Sequence, residues 1–343
     1  MSKLLKLDPE ANFRFWGGPE MQKQSAGQLK SITETAFMGF WEVAKNAAKI
    51  KGFFDFAKYS IEKYDPDIII FIDYPGFNLR MATWAKNKGY KTCYYISPQL
   101  WAWKEGRHRI LKEKIDLFFV ILPFERDFYL NLDTPCIYVG HPLIEVIPES
   151  KSVESSEIKT IGLFPGSRKQ EVSSHLSTMM EFVQSLPDMQ FVIAAVGHLP
   201  VELYENEIEG LANVRISYDV PYEVMQEIDF ALASSGTATL ELALHNVPQI
   251  VIYKTSTVSF MIAKRLVKTK YISLVNLIAQ KEVVPELLQD AFNVLALKAY
   301  YEKHSLTENR KITSTQYAKL RKELGEGNAS QKVASHIWKF LNE

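Results

Sequence analysis

Cysteine is nearly absent from this chain: two residues in 343, Cys93 and Cys136, each inside an apolar run. Cysteines so placed read as small core side chains in a reducing compartment, which argues against a disulfide scaffold or a metal pair. No stretch of about 18 consecutive apolar residues occurs, so no segment reads as a bilayer-spanning helix. The opening residues Met1 to Pro9 are too short for a secretory signal, and the expected location is cytoplasmic. Net charge is missing as well. Lys plus Arg and Asp plus Glu are both 40, which gives no overall field that would draw the chain to nucleic acid. Short-period repeats, low-complexity tracts and zinc-spaced Cys/His sets do not occur. The G-x-G-x-x-G turn of nicotinamide and flavin enzymes is absent. So is the G-x-S-x-G elbow, which leaves His141 and His175 without an evident nucleophile.

What is present is an ordinary globular composition, 47% hydrophobic and 23% charged, in a chain long enough for two domains. Apolar runs at 67–72, 92–96, 117–121 and 137–139 alternate with helical patterns near 80–88 and 124–130. The alternation resumes at 161–164, 191–195, 214–216, 230–233 and 250–253. Near-continuous apolar strands separated by helices predict parallel sheets covered on both faces. The Ser- and Glu-rich stretch 148–159 is the best linker. The expected organisation is a first domain over 1–150, a second over 158–327, and a last helix over 328–343 that could pack back on the first. The two parallel-sheet halves are expected to face each other across a cleft.

The stretch from Leu232 to Glu241 organises the second half. A short apolar strand ends in Ser234-Ser235-Gly236-Thr237, and a helical pattern follows. Free N–H groups at a helix start attract phosphate, so Ser235, Gly236 and Thr237 suit a diphosphate. Glu241, one turn further on, suits the hydroxyls of a ribose. The competing reading is plain helix capping with a solvated Glu241. A second strand–turn–helix, Leu163-Phe164-Pro165-Gly166-Ser167-Arg168, tips the balance toward a nucleotide diphosphate. Gly166 allows close approach, Ser167 adds a hydroxyl, and Arg168 offers a planar fork of donors.

In the first half, Asp73 follows Ile70-Phe71-Ile72 at the carboxyl end of a strand, where open parallel sheets place their ligands. It reads either as a base or as a helix cap. Asp65-Pro66-Asp67 formally matches a metal-binding pair but precedes the strand, at the wrong end. Gln99, Trp101 and Trp103 follow another strand end and are candidates to line the same cleft. The segment 35–58 carries Phe37, Phe40, Trp41, Phe53, Phe54 and Phe56 among lysines. That pattern fits either a core helix or an interfacial segment on an anionic membrane.

Taken together, Ile72-Asp73-Tyr74-Pro75-Gly76-Phe77-Asn78, Ser97-Pro98-Gln99 through Trp103 with Arg107, and Leu122-Pro123-Phe124-Glu125 resemble one known family. Val139-Gly140-His141-Pro142, Leu163 to Arg168, Ser235 to Glu241, 263–269 and Ser273 to Leu277 extend the match over nearly the whole chain. The chain resembles the lipid-A-disaccharide synthases, glycosyltransferases of family 19 with the GT-B fold. The resemblance implies an α/β architecture of two Rossmann-like parallel-sheet domains and an inverting transfer without metal or cofactor. The donor it implies is UDP-2,3-diacylglucosamine and the acceptor 2,3-diacylglucosamine 1-phosphate. In this reading Asp73 is the catalytic base. Gly166, Ser167, Arg168, Ser235, Gly236, Thr237, Glu241 and Asn276 serve the donor, and Asn78, Gln99, Trp101, Trp103 and Arg107 serve the acceptor side. Phe40, Trp41, Phe53 and Phe54 would face the cytoplasmic leaflet of the inner membrane, aided by the basic run Lys264, Arg265, Lys268 and Lys270. The family's Gly-Glu-x-Ser-Gly-Asp loop does not occur here, so the native start is expected a few tens of residues upstream. Two rival readings remain: another GT-B enzyme, such as a UDP-sugar epimerase or a transferase with a soluble acceptor, or a nucleotide-sugar or lipid-binding protein without turnover.

Overall fold

The computed structural model describes residues 1–343 apart from 26, 32–46, 150–156, 220, 258–259, 262–264 and 266–268. The chain forms two compact units. The first comprises Met1–Leu100, Lys104–Pro142 and Asn328–Glu343; the second comprises Trp101–Trp103 and Leu143–Gly327.

In the first unit, β1 (Phe15–Gly17) and β2 (Gln28–Ser31) form a small parallel pair. β3 (Ile69–Ile72), β4 (Thr92–Tyr95), β5 (Leu117–Val120) and β6 (Ile137–Tyr138) form a parallel sheet in sequence order. Each step between parallel strands needs a crossover, and the helices Pro75–Asn87, His108–Lys114 and Pro123–Asn131 supply them. Phe71, Tyr94, Phe118 and Val120 from the strands pack on Leu79, Met81 and Tyr129 from the helices. The run 67–72 reads as a strand buried on both faces, yet β3 is an edge of this sheet among the described residues. Ile69 and Ile70 are half-buried and Ile72 is 45% exposed, since an edge strand lacks the neighbour that would cover it. The terminal helix Ala329–Asn342 belongs to this unit and packs against the short helix Ser2–Leu7.

The second unit is a six-stranded parallel sheet in the order β12-β11-β10-β7-β8-β9. Its strands are β7 (Thr160–Phe164), β8 (Gln190–Ala194), β9 (Val214–Ser217), β10 (Phe230–Ser234), β11 (Gln249–Tyr253) and β12 (Glu286–Leu288). Ile161, Leu163, Phe230, Leu232, Ile250 and Ile252 are completely buried at its centre. Burying each such side chain contributes about 1.5–3 kcal/mol, so the central strands anchor this unit. The chain runs outward from β7 through β8 to β9, then returns to β10 on the other side and runs out to β12. The order therefore reverses between β7 and β10. Loops at the carboxyl ends of the two strands flanking such a reversal splay apart and leave a crevice, the usual ligand position in open parallel sheets.

Candidate active site

The two turns at that reversal are Pro165–Arg168 after β7 and Ser235–Thr237 after β10. Gly166 sits at φ +120°, and a Cβ there would come within 2.6–2.8 Å of Glu171. Only glycine fits that position. The following helix, Lys169–Gln184, places Glu171 in its first turn, where its carboxylate accepts the Ser167 N–H at 3.1 Å and pairs with Arg168. Glu171 thus takes the backbone and guanidinium donors that a phosphate would use. Arg168 keeps over half its side chain exposed and within reach of a further anion.

At the second turn the helix Thr237–Leu244 begins with Gly236 and no side-chain cap. Gly236 and Thr237 are exposed, and nothing lies within 4 Å of a Cβ built on Gly236. Ser235 is tied down, its hydroxyl donating to the Ile272 carbonyl at 2.9 Å and its N–H to the Ile252 carbonyl at 3.1 Å. Beside it, the Ser234 hydroxyl is buried with no hydrogen-bond partner among the described residues. A buried hydroxyl is rarely left unpaired without a cause. Burial raises the Glu241 carboxyl above its usual range.

His175 joins these elements. It is completely buried, with Nδ1 donating to the Pro165 carbonyl at 2.7 Å and Nε2 accepting the Lys254 N–H at 2.9 Å. A neutral ring protonated at Nδ1 satisfies both bonds, and burial holds its pKa below the ordinary value. The imidazole therefore fixes the first turn against the end of β11.

Asn276 lies elsewhere in role. Its amide donates to the Val284 carbonyl and Glu286 at 2.8 Å each, and its oxygen accepts the N–H groups of Val283 and Val284. All four hydrogen-bonding positions are engaged and the residue is fully buried, so it has no polar atom to offer a ligand. Asn276, expected on the donor side, braces this segment among the described residues. It works with Glu286, which also accepts from the backbone of Ile272 and Ser273 and from the Ser273 hydroxyl. That network holds the segment to which Ser235 is bonded.

In the first unit, Asp73 leaves the carboxyl end of β3. Asp73 and Tyr74 both adopt φ +46°, two successive non-glycine residues in the left-handed region. Such backbone costs about 1–3 kcal/mol per residue and persists only where its surroundings hold it. Here the holders are visible. The Tyr94 hydroxyl donates to the Asp73 carbonyl at 2.7 Å, and Asn78 donates to the carbonyls of Ile72 and Asp73 at 3.1 and 2.7 Å. Pro75 then starts the next helix with its fixed φ. The result places Asp73, an exposed residue, at the end of the strand. Desolvation raises its pKa, and a hydrogen bond from the Tyr74 N–H offsets part of that rise. Asn78 is thus a support for Asp73.

The loop after β4 is also strained, with β-branched Ile96 at φ +65°. Ser97 donates to buried Glu125 at 2.6 Å, and the Tyr129 hydroxyl donates to the Pro98 carbonyl at 2.8 Å. Glu125 further accepts the N–H groups of Ile121 and Leu122. Gln99 and Trp103 are exposed, while Trp101 and Arg107 are half-buried. Arg107 lies close enough for its charge to be felt at the Tyr94 hydroxyl. Sequence reading named Glu125 and His175 without giving them a role, and passed over Tyr129 and Glu286. The one available signal was an acid, Glu125, closing the apolar run Leu122-Pro123-Phe124.

Of the membrane-facing set, Phe40 and Trp41 lie outside the described residues, as do Lys264 and Lys268 of the basic run. The described helix Ala47–Tyr64 buries Phe53 edge-on against Trp16, with Lys30 over its ring. Phe54 stacks on Phe77 at 4.3 Å. Phe53 and Phe54, both expected to face the membrane, pack here on Trp16 and Phe77, with Phe53 buried and Phe54 half-buried. Phe56 and Tyr59 are the exposed aromatics of this helix. Among the described residues no helix is long and apolar enough to cross a membrane.

Known proteins resemble this chain at two levels. A family model described as lipid-A-disaccharide synthetase matches residues 2–339. A lipid-A-disaccharide synthase of Geobacter sulfurreducens is 33% identical, covering 99% of this chain and 92% of the relative. Lipid-A-disaccharide synthase 1 of Legionella pneumophila is 34% identical over 96% of this chain and 90% of its own. Among solved structures, the glycotransferase of kitacinnamycin superposes with a TM-score of 0.65 at 12% identity, covering 98% of this chain and 94% of that one. The UDP-GlcNAc 2-epimerase of Neisseria meningitidis, bound to UDP-GlcNAc, gives 0.59 at 14% identity over 88% of this chain and 83% of its own. At such low identity these last two establish the fold, which is GT-B.

Proposed function

The chain belongs to the lipid-A-disaccharide synthetase family, a glycosyltransferase family of lipid A synthesis, and on that premise we propose its substrates and the role of each site residue. The donor is UDP-2,3-diacylglucosamine and the acceptor 2,3-diacylglucosamine 1-phosphate. The acceptor's 6-hydroxyl oxygen attacks the anomeric carbon of the donor as the bond to the diphosphate breaks, with inversion. Its proton passes to Asp73, and the electron pair of the broken bond leaves with UDP. The observation that carries this assignment is Asp73 itself: a carboxylate held at a strand end by strained backbone, with a pKa moved upward by desolvation. A base works best when its pKa approaches the working pH.

UDP binds at the reversal in the second sheet. The N–H groups at the start of Thr237–Leu244, the unpaired Ser234 hydroxyl and the Arg168 guanidinium meet the diphosphate. These donors stabilise the charge that grows on the leaving group. Glu241 accepts from the ribose hydroxyls. The protein works on the cytoplasmic face of the inner membrane, where Phe56, Tyr59, Arg265 and Lys270 favour contact with anionic lipid.

The deciding experiment supplies both acylated glucosamines and follows UDP and disaccharide together. Equal release of both supports the transfer. UDP without disaccharide, or conversion of the donor to an epimer, would overturn it. Flotation with liposomes tests the membrane location separately.

A further inference from the structure

Side chains hold three successive peptide groups of the turn Pro165–Arg168. His175 Nδ1 donates to the Pro165 carbonyl at 2.7 Å, and Glu171 accepts the Ser167 N–H at 3.1 Å. The third group is the Ser167 carbonyl, which accepts from His198 Nε2 at 3.1 Å. A carbonyl can only accept, so the His198 ring carries a proton on Nε2. The three holders come from different places. His175, bonded also to the Lys254 N–H, ties the start of the turn to the end of β11. Glu171 belongs to the first turn of the helix that continues from the turn itself. His198 lies 31 residues from Ser167, in the loop after β8, and ties the far end of the turn to a second strand. That loop is itself anchored. The Leu199 N–H donates to the Val196 carbonyl at 3.1 Å, closing a tight turn with Gly197 and His198 at its middle. The Val196 N–H donates to the hydroxyl of completely buried Tyr204 at 3.3 Å, and Leu199 packs on the core of the unit.

We infer that His198 is a positioning residue for the donor's diphosphate, acting through the Ser167 carbonyl to keep Arg168 in one arrangement. The inference rests on the reading that UDP binds at this turn, and adds a residue to it. Ser167 and Arg168 are both exposed, so no surrounding core fixes them. Exposed side chains on a loose turn lose freedom when they grip a ligand, and that loss weakens binding. Holding the turn in its bound shape beforehand removes part of the cost and appears as affinity. The bond from His198 is made before and during transfer alike, so it lowers the donor KM and leaves kcat unchanged.

The test compares H198F, which keeps a ring without a donor, with H198Q, whose amide nitrogen takes the place of Nε2. Melting temperature establishes that each variant is folded. UDP affinity is measured by titration without turnover, and donor KM and kcat by release of UDP. H198F should bind UDP about three- to tenfold more weakly, the scale of one neutral hydrogen bond, and raise the donor KM to match. H198Q should stay within about twofold of wild type. In both variants kcat should hold, the sign of lost uniform binding. The H198F effect should shrink when Arg168 is already alanine, since both substitutions act on one turn. UDP affinity unchanged in H198F would overturn the inference, as would H198Q as weak as H198F or an effect undiminished in R168A. A wild-type protein that does not bind UDP would overturn the donor reading itself, so the two failures are told apart by the wild-type titration.

Discussion

Asp73→Asn keeps the shape of the site and removes the proton acceptor. Turnover should fall by about 10² or more, the usual contribution of a positioned base, while UDP affinity stays constant. Near-normal turnover would move the base elsewhere. The pH profile follows from the sign of the shift. Asp73 must be ionised to act, and its pKa lies above the ordinary carboxylate value, so kcat/KM falls on acidification earlier than about pH 4 would suggest. His175 gives a second residue-scale effect, on stability. Its folded pKa is lowered, so its contribution is fully present above the unfolded value near 6.5 and is lost as pH falls below it. His141, pushed down to about 4 by burial, and His245 and His304, also lowered, act in the same direction. Urea unfolding of His175→Gln between pH 7 and 5 should show a pH slope shallower by up to one proton than wild type. An unchanged slope would mean His175 is already free to protonate in the folded chain.

The elements that matter most are the two strand–turn–helix units at the sheet reversal. Gly166→Ala places a Cβ against Glu171 at a left-handed φ. It should cost about 1–3 kcal/mol in stability and lower UDP affinity, read by denaturant unfolding and by titration. Arg168→Ala separates binding from stability at the same turn. The pair with Glu171 is over half exposed on the arginine side, and surface pairs contribute about 0–1 kcal/mol. UDP should bind at least tenfold more weakly with little change in melting temperature, since a guanidinium–phosphate bond is charge-assisted. A melting shift with normal UDP binding would make Arg168 structural. In the first unit the same logic gives the strained exits of β3 and β4 their supports. Asn78 and Tyr94 hold Asp73, and Glu125 and Tyr129 hold Ser97 and Pro98.

At the scale of the molecule, the first unit is closed by the far end of the chain. Val333, Ala334 and Ile337 of Ala329–Asn342 are buried, Lys91 lies over the Phe340 ring, and Phe119 packs near His336. Burying Val333 and Ile337 contributes about 1.5–3 kcal/mol each. Deleting Asn328–Glu343 should therefore weaken the first unit while the second stays intact. Limited proteolysis should cut within 1–142 and spare 143–327. Cleavage spread equally over both would refute this assignment of the helix.

Sequence alone determined the βα alternation, because a parallel strand buried on both faces must be apolar throughout and its crossover helix cannot be. It also located Asp73, Gly166 and the Ser235-Gly236-Thr237 turn, since turn chemistry is local and strand ends are visible as the loss of apolar residues. Tertiary structure decided what depends on neighbours distant in the chain. β2 and β12 are short strands whose pairing comes from partners, not propensity. Ile72 reads as core and stands exposed at an edge, because one-dimensional hydrophobicity records the side chain and not the strand beside it. Phe53 and Phe54 fit core and membrane alike until Trp16 and Phe77 occupy them. Asn276 looks like a ligand contact until Val283, Val284 and Glu286 take all of its hydrogen bonds, and His175 has no visible role until Pro165 and Lys254 meet at its ring. In each case the partner lies on another segment, and only folding brings the two within bonding distance.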